Sequence, residues 1–170
     1  MAVPGWGRPP GSASMVLRDR ASPAGPRSRE GTAMAGAAED DRYADALATA
    51  ERLLGTSLEP FLALGPGEPA SGSDFARLAT VHTFGDAWPR TEVLDTRSRA
   101  LVSVTIAAVL GTLEPLRGQL RIALGNGVSP EEIVEVFVHV EAYAGAARAF
   151  EGYRIAREVF AEAARAKGDG

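Results

Sequence analysis

Apolar residues recur at intervals of three and four along most of the chain after residue 40, and no stretch shows the strict alternation of a half-buried strand. From Asp41, the series Tyr43, Leu47, Ala50, Leu53 and Leu54 predicts a helix, with Gly55 as its stop. Ser57-Leu58-Glu59-Pro60 opens a short apolar turn to Leu64, and Gly65-Pro66-Gly67-Glu68-Pro69 predicts a loop. Ser73 is placed to cap a helix through Phe75, Leu78, Val81 and His82 that stops at Gly85. An irregular linker, Trp88 to Leu94, leads to Asp95 or Thr96 as the cap of a helix over 97–110. That helix is apolar nearly all round, which predicts a central buried element. Leu116, Leu120, Ala123 and Leu124 mark the next helix, ended by Gly125-Asn126-Gly127. Ser129-Pro130-Glu131-Glu132 combines an N-cap serine, a proline at the first helical position and a glutamate at the capping-box position. The helix it starts is expected to reach Ala144, where Gly145 interrupts, and a last helix to reach about Ala164. The pattern predicts an all-α protein.

Composition narrows the chemistry. Apolar residues make up 45% of 170, enough for one core, and the longest apolar run, around Leu101 to Leu110, is about half a membrane span. A soluble, cytoplasmic protein is expected. There is no cysteine, which removes thiol nucleophiles, redox pairs and sulfur-ligated metals. The only histidines are His82 and His139, so no histidine-rich metal site is available and no metal is expected. Lys167 is the sole lysine and stands in a Gly-containing tail, an unsuitable place for a Schiff base. A net charge of −4 argues against a nucleic-acid partner.

The charge is unevenly spread. Residues 1–38 hold five prolines, six glycines and five arginines against Asp19 and Glu30. With no period and little to bury, this leader is expected to be disordered. It lacks the apolar segment of a secretory signal and the amphipathic helix of a transit peptide. Met34 is an alternative start, which would make the leader an over-extension of the reading frame. Residues 39–166 are expected to form the helical domain, and 167–170 to fray.

The stretch from Phe84 to Phe160, with Arg99 in "TRSRALV", the turn and helix "ALGNGVSPEEIVEVFVHV", and "YAG" at 143–145 followed by "RIAREVF", resembles the carboxymuconolactone decarboxylase family of the alkylhydroperoxidase D-like superfamily. The resemblance implies a helical bundle that assembles into trimers or hexamers, with active sites near subunit contacts. It also implies a cofactor-independent decarboxylation of 4-carboxymuconolactone in aromatic-compound catabolism, leaving an enol-lactone. The peroxidase branch uses a Glu, two Cys and a His. This chain has Ala100, Thr112, Pro115 and Gln119 in those places, so thiol peroxidase chemistry is excluded. Members of the decarboxylase branch often carry His where Gln119 stands and "GVPAA" where 145–149 reads "GAARA".

Decarboxylation without a cofactor needs a cation for the carboxylates, a donor for the lactone oxygen and an acid to return a proton to carbon. Arg99 is the candidate cation, able to grip a carboxylate bidentately; alternatively it pairs with Glu114 or Glu135. Arg97, two positions away, is expected to be solvated. Glu135, His139 and Tyr143 are four apart on one helical stripe, which makes His139 the candidate acid, or else a hydrogen-bonded core residue. Glu114 joins Arg99 and His139 in the catalytic set. Gln119 can donate to a carbonyl but cannot exchange protons, which would leave acid–base work to His139 or Glu141. Trp88 and Tyr143 are candidate pocket walls, Glu141 and Asn126 candidate substrate contacts, and Asn126 is alternatively a left-handed helix stop. His82 lies outside the resembling stretch.

Three functions follow. The first is a decarboxylase of the family type, acting on a carboxylated lactone. The second keeps the fold but changes the reaction to lactone isomerisation, cyclisation or natural-product tailoring. The third is a non-catalytic helical oligomer that binds a small molecule or protein.

Overall fold

Each predicted helix has an identifiable start or stop, and most of these signals act as expected in the structure, a computed structural model that describes residues 29–168. The helices are α1 (Arg29–Leu54), α2 (Glu59–Leu62), α3 (Ser71–Thr80), α4 (Thr96–Leu110), α5 (Leu113–Gly125), α6 (Pro130–Ala144) and α7 (Ala146–Gly168). A π-helical segment, Val81–Ala87, continues α3. The described residues contain no strand.

The local signals set the ends. The Asp95 side chain accepts from the Ser98 N–H at 2.9 Å and starts α4. Gly111, at φ +69°, takes the left-handed conformation that ends it. Ser129 and Glu132 form the full capping box of α6, with Pro130 at its first turn.

Several boundaries differ from the sequence pattern. α1 begins at Arg29, twelve residues before Asp41, so the division drawn at residue 38 falls within a helix; residues 1–28 lie outside the described residues. Ala70 is the N-cap of α3, and the Ser73 hydroxyl donates to the Ala70 carbonyl at 2.6 Å instead of capping. Gly85 does not stop the chain, because the helix widens to i→i+5 bonding: the Trp88 N–H reaches the Thr83 carbonyl at 3.0 Å. Asn126 has φ −110° and its Nδ2 donates to the Ile122 carbonyl at 2.7 Å, while Gly127 at φ +85° supplies the left-handed turn. α7 continues to Gly168, beyond Ala164, and so takes in the first part of the predicted tail; residues 169–170 are outside the described residues.

The core forms where α4, α5, α6 and α7 meet. α4 packs on α5 and α6, α7 lies against all three, and α1 covers the π-helical segment and α5. Leu116, Leu120, Ile122, Ile133, Val104, Val140 and Val159 are fully buried. Small residues let the helices approach: a Cβ on Gly152 of α7 would fall 2.6 Å from Phe137 and 3.5 Å from Ala108. Phe137 and Tyr153 meet edge to face, centroids 5.9 Å apart. Between α5 and α7, Arg117 pairs with Glu158 and Glu162, and Arg121 with Glu162 at 2.9 Å.

α4 is not buried all round. Ala100, Val104, Ala107 and Ala108 face the core, whereas Val102, Ile106, Val109 and Leu110 lie outward, with Ile106 53% exposed. The i, i+4, i+7, i+8 spacing places those four on one stripe. One chain supplies too few helices to cover both faces of α4.

Candidate functional site

Arg99 lies in the first turn of α4, one step before buried Ala100, so its side chain leaves the core beside the 88–95 linker. Its Nη2 donates to the carbonyls of Arg90 and, at 3.4 Å, Leu94, which pins that linker. Neither Glu114 nor Glu135 pairs with it; the partners are backbone oxygens. Its Nε is buried and has no hydrogen-bond partner, a state that costs about 1–3 kcal/mol for an ordinary buried donor and marks a position suited to an acceptor.

The pinned linker and the π-helical segment form the walls of a groove of about 780 Å³. Arg99, Arg90, His82, Asp86 and Glu92 are its polar lining, and Pro89, Val93 and Leu94 its apolar one. Asp86 is engaged by Arg42 of α1 at 2.9 Å, which offsets its charge. With Asp86 so engaged, the groove sets two guanidiniums and one imidazole beside one further carboxylate, Glu92. A second groove, about 840 Å³, runs between the ends of α5, α6 and α7, but there Arg121 is already paired with Glu162. A third, about 350 Å³, is mainly apolar and lined by Val134, Phe137, Val138, Glu141, Phe150 and Tyr153.

The remaining candidates are dispersed. Trp88 is 5% exposed and part of the hydrophobic core, so it supports the start of the linker from beneath. His139, Glu141 and Tyr143 are all exposed on α6, with Tyr143 81% exposed and its ring centroid 4.7 Å from that of His139. His139 and Tyr143 meet as their spacing predicts, and neither lines the groove that holds Arg99. Glu141 lines the apolar third groove. Glu114 is exposed in the first turn of α5. Gln119 is half-buried and its Oε1, like Arg99 Nε, lacks a partner. Asn126 is committed to its own helix end.

Arg97 is not solvated as expected. It reaches Glu132 and the Gly127 carbonyl, the latter at 3.2 Å, joining α4 to the start of α6. The N–H of Ser129, then the Arg97 guanidinium, hold the Glu132 carboxyl below its ordinary value. Sequence reasoning assigned no role to Arg90, and Arg97 was expected to play none. The one available signal for Arg90 was its place in a linker whose Trp88 is apolar and buried.

Helices joined by short connections, of two residues between α4 and α5, four between α5 and α6 and one between α6 and α7, define an all-α bundle with an arginine set over a groove. The model of the "Carboxymuconolactone decarboxylase family" matches residues 73–158, and the chain belongs to that family. The matched range includes His82 as well as every candidate from Trp88 to Tyr143. The chain is also 32% identical over 87 residues to a protein of Acinetobacter baylyi named 4-carboxymuconolactone decarboxylase. That alignment takes in 51% of this chain and 64% of the relative, so the chain spans less than two thirds of the relative's length.

Proposed function

We propose that the protein is a cofactor-independent carboxy-lyase of the 4-carboxymuconolactone decarboxylase type, acting on a carboxylated, enolisable lactone in the Arg99 groove. The observation that carries the reading is the buried, unpartnered Nε of Arg99 in a groove that also holds Arg90. A substrate carboxylate there would complete the hydrogen bonding of Arg99, and Arg90 would serve a second carboxylate. The electrons of the broken carbon–carboxylate bond pass through the adjacent double bond to the lactone oxygen, so no cofactor is needed. Family membership and the decarboxylase name of the Acinetobacter protein support the same reaction. The test is release of CO2 from 4-carboxymuconolactone by the purified protein. The expected result is rapid release; none from a folded sample would overturn the reading.

A second reading keeps the groove and changes the reaction. Gln119 favours it, because this amide, which does not itself line the groove, stands where the family often has a proton-exchanging histidine. Conversion of the lactone without loss of CO2 is its signature. In both readings the protein is a homo-oligomer, with the outward stripe of α4 as the contact.

A further inference from the structure

Loss of CO2 leaves an electron pair delocalised over the lactone, and the reaction is complete only when carbon receives a proton. Among the groove-lining side chains, guanidiniums such as those of Arg90 and Arg99 are poor proton donors by their chemistry, Glu92 is exposed to solvent, and Asp86 is engaged by Arg42. Imidazole is the side chain that exchanges protons near neutral pH, and the groove has one, His82. Its placement follows from the π-helical segment. With i→i+5 bonding, residues four and five positions on return to the same side, and Asp86 and Ala87 line the groove together with His82. Both histidines are exposed, but His139 stands against Tyr143 on α6 and does not line this groove.

We propose that His82, on the π-helical wall of the groove that the Arg99-pinned linker also lines, is the acid that protonates the substrate carbon after CO2 leaves. This assignment rests on the decarboxylase reading above. The carbon–carboxylate bond breaks and its electron pair moves through the double bond onto the lactone oxygen as CO2 departs. The carbonyl then re-forms, the pair returns to the carbon beside it, and that carbon takes the proton from the His82 imidazolium. Neutral imidazole recovers a proton from water, so the cycle closes without an oxidant or reductant.

The experiment uses the full chain, 4-carboxymuconolactone and D2O. Wild-type protein is expected to release CO2 and to place one deuterium on a single face of the product. In His82→Ala, kcat is expected to fall by about 100-fold or more, the range of a lost general acid, with KM nearly unchanged. Added imidazole is expected to restore turnover in a saturable way, and the residual product to carry deuterium on both faces. His82→Gln, which keeps size and hydrogen bonding, is expected to lose kcat equally, and circular dichroism of both variants separates this from loss of fold. Wild-type kcat and single-face labelling in both variants would overturn the assignment and leave the decarboxylase reading standing. So would a loss that imidazole does not rescue, or wild-type turnover in His82→Ala alongside loss in His139→Ala. No CO2 from wild-type protein would overturn the decarboxylase reading, and this assignment with it.

Discussion

Arg97 of α4 binds Glu132 of α6, the same carboxylate that closes the capping box on Ser129. One side chain thereby serves a helix start and the junction of two helices, 35 positions apart in sequence. Its carboxyl is held below its ordinary value by the Ser129 N–H and by Arg97. Asp95, held down chiefly by the Ser98 N–H, and Glu158, held down chiefly by Arg117, behave alike. A depressed folded-state value means that stability is fully present above the unfolded value and declines as pH falls through the folded one. Melting temperature is therefore expected to be flat near neutrality and to drop below about pH 4.5, the ordinary glutamate value. Glu132→Gln is expected to melt lower than wild type at pH 7, with the gap closing toward pH 3. A gap of constant size across that range would contradict the role given to this carboxylate.

Two glycines in helices should respond oppositely to the same change. A Cβ at Gly152 would lie 2.6 Å from Phe137 Cε1 and 3.3 Å from Leu116 Cδ2. Overpacking of about 1–3 kcal/mol then outweighs a gain in helix propensity of up to about 1 kcal/mol. At Gly118 nothing lies within 4 Å, and the propensity gain stands alone. Denaturant titration is expected to show Gly152→Ala destabilised and Gly118→Ala stabilised by about 0.5–1 kcal/mol.

Arg99→Lys keeps the charge and removes the guanidinium whose Nη2 donates to the carbonyls of both Arg90 and Leu94. Amide hydrogen exchange over 90–94 is expected to quicken, and KM for a carboxylated lactone to rise at least about tenfold, the equivalent of 1.4 kcal/mol. Unchanged exchange would mean that the linker is held by something other than Arg99.

The outward stripe of α4 predicts self-association. Ile106→Glu places a charge at its centre, and sedimentation is expected to show the wild type as an oligomer and the variant as a smaller species with its helicity intact. A monomeric wild type would show that this apolar stripe faces water.

Helix starts and stops were legible because they act within one turn. Asp95 binds Ser98, Ser129 binds Glu132, and Gly111 needs only its own φ. The exceptions were equally physical. Gly85 reads as a stop, but contact of the π-helical segment with α1, where its Cβ would lie 3.4 Å from Ala46, carries the helix through. Asn126 was a correct stop signal with the wrong conformation, since the neighbouring Gly127 adopts positive φ at lower cost.

The candidate site divides along the same line. Sequence by itself determined the all-α class and the family, since residue type and spacing along a helix carry that information. Only tertiary structure decided that Arg99 grips the linker instead of a carboxylate, that Arg97 is structural, and that His82 and Arg90 share its groove while His139 does not. A helix pattern specifies which face is apolar. Which residues from separate elements converge depends on how α1, the π-helical segment and α4 pack, and that is set by contacts between residues far apart in the chain.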